Sequence, residues 1–571
     1  MKKIMIFFVA LLLTYSNDTH AQSNPPKREF RGAWIATVAN LDWPSTPNLS
    51  EEQQRIELLR IFDELHEAGI NAVFLQIRPE SDAFYRSEIE PWSYWLTGQQ
   101  GKAPADSYDP LEFAIDEAHD RGMELHAWFN LYRAVRSIGS YAIDSLHVSI
   151  RHPEWLLTFG TFQILDPGLP LVREYITNVI MDVVRRYDID GVHFDDFFYP
   201  YPPNQIVGQD LVTFQNHNRG FTDIGDWRRD NVNLFVEMVN DSIKATRPHV
   251  KFGVSPFGIW KNGEPPGIVG LDAYNVIYAD PLAWLGKEIV DYVAPQLYWP
   301  FGGSQDYGTL QPWWAAQSFV RHIYIGQAVF KISDWPAGEM QNQLALNRSN
   351  PDVRGSLFFR SLFFRQNPRG FTDYLRTDQY RYLALPPLMP WKDAIPPDRP
   401  QNIRYERIAG TGTAALQWDM PEIAVDGDTA LRFVLYRFET ANVQQSDLEN
   451  PDKIVAVKYS TFAMPETPQD VANSYFYVVT ALDRIANESV MSAVLEIRPP
   501  SVPLLAFPDD TALNQPQGVE IAWHYPPVAS SYHVQVSQDS MFSETILVDE
   551  EGIVDTMIAV FDMEGQQTYF W

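Results

Sequence analysis

The chain has 571 residues, of which 45% are hydrophobic and 20% charged, so it can bury a sizeable core spread over roughly two to four domains. Its 44 Lys and Arg against 73 Asp and Glu give a net charge of −29. That charge disfavours nucleic acids and anionic membranes as partners, and it points towards neutral or cationic substrates. Cysteine is absent, which excludes disulfides, thiolate metal sites, iron–sulfur clusters and cysteine nucleophiles.

The N-terminus has the features of a secretory signal peptide. Lys2 and Lys3 precede a short apolar run over residues 4–13, and Thr19 and Ala21 supply the small side chains of a cleavage site. The apolar run is too short to span a bilayer. We therefore expect residues 1–21 to be removed and the protein to be exported without membrane insertion.

Residues 28–385 alternate short β-like runs with amphipathic helical runs. Each of the β-like runs is followed by a helix or a long insertion, which predicts a TIM (β/α)8 barrel, an α/β fold. An open doubly wound sheet is the alternative, but no G-x-G-x-x-G turn follows the first strand. The β-like runs cover residues 33–37, 72–77, 124–129, 191–195, 252–257, 292–298, 323–329 and 356–359.

Clear start and stop signals mark the helices between these strands. Ser50 and Gln53 form a capping box before an apolar run that Gly69 ends. Residues 109–110, an Asp-Pro pair, begin a second helix that Gly122 ends. Two longer helical runs cover residues 171–187 and 227–246.

The C-terminal part is predicted to be all-β. Prolines over residues 386–400 indicate a stiff linker, and residues 401–499 resemble a fibronectin type III module. Residues 500–571 repeat this pattern but stop before the last strands, which predicts a truncated module with an unpaired edge. The predicted strands cover residues 414–418, 433–438, 454–457, 474–481, 493–497, 519–523, 532–536 and 569–571.

Polar side chains collect at the C-terminal ends of the predicted barrel strands, where TIM barrels hold their active sites. Alternation along the fourth strand directs His193 and Asp195 to the barrel axis and leaves Asp196 at the lip. Taken singly, such residues are more often hydrogen-bonded interior residues, but so many at one mouth are costly to bury unless a ligand needs them. Alternation on the other strands selects Gln76, Arg78, His126, Asn130, Ser255, Gln296 and Tyr298.

A carboxylate at the end of the fourth strand fits glycoside hydrolysis, which uses two carboxyl groups or one assisted by a 2-acetamido oxygen of the substrate. Repulsion between Asp195 and Asp196 is expected to raise one pKa and so leave an acid beside a base. In the alternative, Asp196 only orients Asp195 or caps the next turn. Asp82, directly after the second strand, is the preferred partner carboxylate. The others past strand ends are Asp42, Glu80, Asp272, Asp280 and Asp334.

Aromatic side chains crowd the same loops, and flat rings suit the apolar faces of sugars, although many such rings simply pack long loops. From this group and its neighbours we expect substrate contacts from Tyr199, Trp260, Trp299 and Asp280. Paired metal ligands are lacking, since the first strand carries no His-x-His and the two barrel histidines lie on different strands. We therefore predict neither a catalytic metal nor a cofactor.

Several segments of the predicted barrel carry a family resemblance. They are residues 31–37 (RGAWIAT) with 42–44 (DWP), 76–78 (QIR) with 82–85 (DAFY), 126–128 (HAW) with Asn130, 190–200 (DGVHFDDFFYP), 255–260 (SPFGIW), Asp280 and 295–299 (PQLYW). In this order they resemble the glycosyl hydrolase-like 10 family of bacterial exported proteins, over about residues 28–385. The resemblance implies a glycosidase-like TIM barrel. At least one relative is understood to cut peptidoglycan glycan strands stripped of their stem peptides.

The leading hypothesis is a bacterial glycoside hydrolase, periplasmic or at the cell surface, that acts on peptidoglycan strands or another amino-sugar polymer. Asp195 is either the acid/base or the residue that orients the 2-acetamido group, with Asp196 and Asp82 as candidate partners. The inward polar residues would hold sugar hydroxyls or acetamido groups. The alternatives are a non-catalytic glycan-binding barrel and a hydrolase of a nutrient polysaccharide. We expect a monomer whose fibronectin-like modules are spacers or wall-binding appendages.

Overall fold

The computed structural model describes residues 25–104, 107–407, 414–465, 474–498, 503–526, 529, 531–543 and 546–571. The predicted signal peptide, residues 1–21, lies outside these ranges. Within them, no helix combines the length and the apolar character that crossing a membrane requires.

Eight parallel strands close into a barrel, which confirms the predicted TIM barrel. Each strand pairs with the next one in the chain, and the last closes on the first with Phe30 opposite Gly355. The strands are β1 (Phe30–Ile35), β2 (Ala72–Arg78), β3 (Glu124–Phe129), β4 (Gly191–Phe194), β5 (Lys251–Val254), β6 (Tyr292–Val293), β7 (His322–Ala328) and β8 (Val353–Phe359).

The first two helices that surround the barrel begin where the sequence signals indicate. The Ser50 side chain accepts from the Gln53 backbone N–H, and the Gln53 side chain accepts from the Ser50 N–H, which completes the capping box. The helices are α1 (Glu51–Glu67), α2 (Pro110–Asp120), α3 (Pro170–Arg186), α4 (Ile224–Thr246), α5 (Pro281–Gly286), α6 (Tyr307–Ala315), α7 (Glu339–Ser349), α8 (Leu362–Gln366) and α9 (Phe371–Tyr374).

The long insertions at the strand ends carry structure of their own. After β3, the segments Arg133–Val135, Leu156–Phe159 and Phe162–Leu165 form a small antiparallel sheet that the sequence did not predict. Short helices occupy other insertions: Tyr94–Thr97, Val148–Arg151, Leu211–His217 and Ala273–Val276.

β6 is shorter than its predicted range of residues 292–298. Pro295 has no N–H to donate to a neighbouring strand, and regular pairing stops at Val293. Gln296 still makes isolated bridges to Phe257 and Gly326, so the chain keeps its direction to the mouth of the barrel.

A chain of buried polar groups runs along the barrel axis. The Trp34 indole N–H donates to His193 Nε2 (3.1 Å), and the hydroxyl of Tyr292 lies between His193 Nδ1 (3.1 Å) and His126 Nδ1 (3.0 Å). His126 Nε2 then contacts Glu124 at the bottom of the barrel (3.3 Å). All these side chains are buried, so each hydrogen bond replaces one that water would otherwise supply.

The C-terminal region consists of antiparallel sheets, as predicted. A three-stranded and a four-stranded sheet share one core around Trp418, Phe433 and Tyr477, an arrangement that fits a fibronectin-like sandwich. Their strands are Gln401–Arg407, Ala414–Asp419 and Phe462–Ala463, and Arg432–Phe438, Ile454–Lys458, Tyr475–Leu482 and Leu495–Ile497. The strands beyond them are Leu505–Phe507, Val519–Trp523 and Met557–Val560, and Tyr532–Ser537 and Ile546–Ile553.

The first of these sandwiches packs directly on the bottom of the barrel. Met389 of the linker and Ile485 of the sandwich are buried in the cluster that fills the barrel interior. Arg432 reaches in and donates to Glu124 (3.2 Å), while the Trp391 indole donates to Asp291 (2.9 Å). The linker and the sandwich therefore close the barrel from below.

Candidate active site

Asp195 follows β4 directly and points to the barrel axis, as the alternation of the strand predicts. Its Oδ2 accepts hydrogen bonds from the Asn130 amide (2.8 Å) and the Trp128 indole (3.2 Å), both carried by β3 and its end. Its Oδ1 accepts from the backbone N–H of Phe197 (3.0 Å). Only 9% of the residue is exposed, so Asp195 forms the base of the mouth.

Burial raises the pKa of Asp195, while the positive charge of Arg133 and the hydrogen bonds from Phe197, Asn130 and Trp128 act in the opposite direction. The donors hold the carboxylate in one orientation. Such an arrangement suits a group that accepts a hydrogen bond from a ligand at a defined position.

Asp196 lies next to it at the lip and is only half-buried. The Tyr201 hydroxyl donates to its Oδ2. Burial and the neighbouring negative charge of Asp195 raise the pKa of Asp196 to about 6, against the opposing hydrogen bonds from Tyr201 and Gln296. The two adjacent carboxyl groups therefore combine a proton donor near neutral pH with a fixed acceptor.

The end of β6 supplies further polar groups to the same place. The Gln296 amide donates to the Ser255 carbonyl (3.1 Å) and hydroxyl (3.2 Å), so Ser255 itself is fully buried behind it. Burial and the negative charges of Asp196 and Asp195 raise the pKa of the half-buried Tyr298.

Two inward residues of β2 support the mouth from behind. Gln76 Oε1 accepts from the backbone N–H groups of Thr37 (3.0 Å) and Val38 (2.9 Å), which fixes the loop after β1. Arg78 is fully buried in a two-pronged ion pair with Glu90 (2.6 and 2.8 Å). Because every strong donor of Arg78 is committed within the protein, its placement fits a structural role better than the predicted sugar contact.

His126 and His193 lie below the mouth, inside the packed barrel. Burial lowers the pKa of both rings, so they are neutral, and their nitrogens are bonded within the axial chain described above. They support the layer that holds Asp195 and have no exposed surface to offer a sugar.

Asp82 lies in a separate buried cluster of the loop after β2. It accepts from the Gln100 amide (3.1 Å), and burial together with the charge of Glu80 raises its pKa to about 7. Glu80 accepts from the Trp95 indole (3.2 Å) and the Tyr141 hydroxyl (2.8 Å). Among the described residues, no hydrogen bond joins Asp82 to the Asp195–Asp196 pair, so Asp82 stays a predicted partner without a contact to support it.

The predicted aromatic residues occupy different positions. Trp260 is half-buried, donates to Asp280 (3.2 Å) and lies nearly parallel to Trp313 with ring centroids 6.1 Å apart. Asp280 also caps α5, and burial raises its pKa. The other two predicted aromatic residues differ in exposure. Trp299 is half-buried against Phe257, whereas Tyr199 is fully buried against Tyr278.

Two residues at the mouth were not selected from the sequence. Tyr201 is the hydroxyl donor to Asp196, and the only signal for it was its place in an aromatic loop after β4. Arg133 acts on Asp195 through its charge, but it lies three residues beyond Asn130, the last position that alternation selected after β3. Alternation carries no information on loop residues, which is why both were missed.

Side chains with metal-ligand spacing occur elsewhere. Within the described ranges, the group that meets this geometry is Asp393, Asp426 and Asp428, in the linker and the first sandwich. The carboxylates at the mouth are instead held by indole, amide, hydroxyl and backbone donors.

Comparison with known proteins identifies the family. The profile of the family described as "Glycosyl hydrolase-like 10" matches residues 29–343, more than half of the chain. The chain belongs to the glycosyl hydrolase-like 10 family. The chain is 38% identical over 512 residues to the "Glycosyl hydrolase YngK" of Bacillus subtilis (strain 168), a match that spans 86% of this chain and 98% of that protein.

The chain is also similar to two other proteins. The "Glycosyl hydrolase DigH" of Escherichia coli (strain K12) is 38% identical over 376 residues, 60% of this chain and 84% of that protein. Among solved structures, α-L-fucosidase isoenzyme 2 from Paenibacillus thiaminolyticus is similar over 62% of this chain and 49% of its own, with 14% identity and a TM-score of 0.41.

Proposed function

We propose that this member of the glycosyl hydrolase-like 10 family is an exported bacterial hydrolase of amino-sugar glycans, with peptide-free peptidoglycan strands as its substrate. Asp196 would be the acid/base, and Asp195 would orient the 2-acetamido group. The family assignment, with relatives named as glycosyl hydrolases, supports glycosidic bond cleavage. The observation that carries the proposal is the unequal Asp195–Asp196 pair at the mouth.

The surroundings of the two carboxyl groups support this division of roles. Asp196 is the more exposed and has a pKa of about 6, so an appreciable fraction is protonated near neutral pH and can donate to the glycosidic oxygen. Asp195 is held by three donors and points to the axis, where its carboxylate could accept the N–H of an acetamido group.

The reaction would then proceed in two steps. Asp196 protonates the leaving oxygen while the acetamido carbonyl oxygen attacks the anomeric carbon and forms a cyclic intermediate. Asp196, now a carboxylate, takes a proton from a water molecule as this water attacks the anomeric carbon. The attack opens the cyclic intermediate and restores the acetamido group. Asp195 stabilises the positive charge that develops on the acetamido nitrogen.

Incubation of the purified full chain with peptide-free peptidoglycan, followed by measurement of new reducing ends, tests the proposal. Wild type should release reducing ends, and Asp196→Asn should lower kcat by about 100-fold or more, the range for loss of acid–base catalysis. Asp195→Asn should lower kcat by about 100-fold as well, because the developing positive charge loses its electrostatic stabilisation. Asp334→Asn removes an exposed carboxylate after β7 and is the matched control, expected to match wild type.

The two alternatives give different results in the same experiment. Binding of the glycan without new reducing ends would identify a non-catalytic binding protein. Release from plant or algal polysaccharides but not from peptidoglycan would identify a hydrolase of nutrient glycans. Full activity of both Asp variants would contradict the proposed chemistry.

A further inference from the structure

Arg133 is the first residue of the small sheet after β3, and its backbone is fixed on two sides. The Ser81 hydroxyl donates to the Arg133 carbonyl (3.1 Å), and Arg133 pairs with Ile164 across the sheet. The side chain therefore starts from a well-defined position at the mouth of the barrel.

The guanidinium group of Arg133 lies over the ring of Phe197, 4.9 Å from its centroid. Phe197 in turn donates its backbone N–H to Asp195. The Arg133 guanidinium therefore contacts a residue that is bonded directly to the proposed catalytic pair. Its charge also lowers the pKa values of Asp195 and Tyr201 against the larger, opposing effect of burial.

Among the described residues, Arg133 has no ion pair, unlike two other buried or half-buried arginines of the barrel. Arg78 pairs with Glu90 and Arg228 with Asp210, both at 2.6 Å. In the part of the chain that the structure describes, no carboxylate lies within ion-pair distance of the Arg133 guanidinium and no acceptor takes a hydrogen bond from it. The residue is half-buried, so its donors are only partly satisfied by water.

We infer that Arg133 binds a carboxylate carried by the sugar, so that the site selects acidic amino sugars over neutral ones. The inference rests on the proposed function. Removal of the stem peptide from peptidoglycan leaves a free lactyl carboxylate on every muramic acid, whereas chitin, a neutral amino-sugar polymer, has none. A planar guanidinium with free donors is suited to two parallel hydrogen bonds to such a carboxylate.

The net charge of −29 makes a local cation necessary for this recognition. An acidic glycan is repelled by an acidic protein at long range, but at physiological ionic strength charges are screened beyond about 8 Å. Binding of the carboxylate therefore depends on the cation in direct contact with it. This modifies the expectation from composition, which pointed to neutral or cationic substrates.

Two forms of one glycan provide the test with the full chain: peptide-free peptidoglycan, and the same material with its carboxylates converted to methylamides. Wild type should have a kcat/KM about 10- to 100-fold higher on the acidic form, the range for a hydrogen-bonded charge pair. Arg133→Gln should bring the ratio of the two kcat/KM values close to one. Arg133→Lys should keep part of the preference for the acidic form. Arg136 is an exposed neighbour, and Arg136→Gln should keep the wild-type ratio.

Equal activity of wild type on both glycans would overturn the inference. So would an equal loss on both glycans in Arg133→Gln, since that result means that Arg133 acts only through Asp195. Binding of both glycans, measured by calorimetry, separates this inference from the proposed function. A preference for the acidic form that depends on Arg133, without turnover, supports the inference and contradicts the hydrolase. If Arg133→Gln has a lower midpoint of urea unfolding than wild type, the ratio of the two kcat/KM values in Arg133→Lys decides the question instead. A ratio equal to that of wild type would then overturn the inference, and a reduced ratio would support it.

Discussion

Two neighbouring aspartates acquire different properties because their surroundings differ. Asp195 is fixed by Trp128, Asn130 and a backbone N–H, whereas Asp196 is nearer to solvent and receives the Tyr201 hydroxyl. A hydrogen bond to a carboxylate favours its charged form, and a like charge disfavours it. The pKa of Asp196 therefore depends on two opposing effects: burial and the charge of Asp195 raise it, and the hydrogen bond from Tyr201 lowers it.

Tyr201→Phe should move the alkaline limit of activity to higher pH. The Tyr201 hydroxyl lowers the pKa of Asp196, so its removal raises that pKa above about 6 and keeps the acid protonated further up the scale. A shift of about one pH unit follows, because a hydrogen bond to a charged group contributes roughly 1.5–3 kcal/mol and one pKa unit corresponds to about 1.4 kcal/mol. The measurement is kcat against pH.

Tyr274→Phe is the matched control, because this tyrosine packs on Trp260 in the loop after β5. Its pH profile should coincide with that of wild type. An unchanged or acid-shifted profile of Tyr201→Phe would show that Asp196 is not the group that limits activity at alkaline pH.

At the scale of the barrel strands, glycines make room for the axial chain of polar rings. A Cβ on Gly191 would lie 2.3 Å from the His126 ring, and one on Gly253 would lie 2.1 Å from the Tyr292 ring. Neither contact is possible without displacement of the ring. The two glycines of β4 and β5 are therefore required by the large side chains that their neighbours point into the barrel.

Gly253→Ala should lower the free energy of unfolding by about 1–3 kcal/mol, the usual cost of overpacking a core. The change would push Tyr292 away from His126 and His193 and so disturb the layer below Asp195. Urea unfolding of the full chain measures it.

Gly286→Ala serves as the control for that experiment, because nothing lies within 4 Å of a Cβ built there and the residue ends α5. Alanine is the better helix former, so stability should be equal or slightly higher. Equal stability of both variants would mean that the barrel interior can relax around an added methyl group.

At the scale of the whole molecule, the barrel and the first sandwich are joined through a buried ionic cluster. Lys251 donates to both oxygens of Glu124 (2.5 and 2.6 Å), and Arg432 of the sandwich adds a third contact. Burial alone would raise the pKa of Glu124, but the charge of Lys251 holds it well below its ordinary value. Glu124 is thus charged in the folded protein, and Arg432 of the sandwich supplies part of the positive charge that balances it.

Arg432→Ala should destabilise the barrel although the change lies in the sandwich. Loss of one partner from a buried charge cluster costs about 3–5 kcal/mol, and Lys251 keeps the expected loss at the lower end. Urea unfolding followed by tryptophan fluorescence and by circular dichroism should show both regions unfolding together at a lower urea concentration.

Arg404→Ala removes an arginine of the same sandwich whose side chain is 39% exposed, and it should change stability by less than about 1 kcal/mol. If Arg432→Ala behaved like this control, the contact with Glu124 would contribute nothing to the union of barrel and sandwich. Separate transitions of the two regions would lead to the same conclusion.

The amino-acid sequence alone determined the class of the fold and the direction of its key side chains. Period-two alternation is a local property, so it correctly predicted the eight strands and the inward orientation of Asp195. Helix caps such as Ser50 are equally local and were confirmed. The order of the motifs over residues 28–385 indicated the family, which the match over residues 29–343 confirms.

Only the tertiary structure decided which polar residues can meet a ligand. Arg78, His126 and His193 share the inward direction of Asp195, but they have no exposed surface, because depth along the barrel axis depends on loops and layers from distant segments. The positions of Arg133 and Tyr201, and the closure of the barrel bottom by Ile485 and Arg432, likewise arise from contacts between residues far apart in the chain. Alternation specifies a face of a strand, whereas burial and charge at a site depend on everything packed around it.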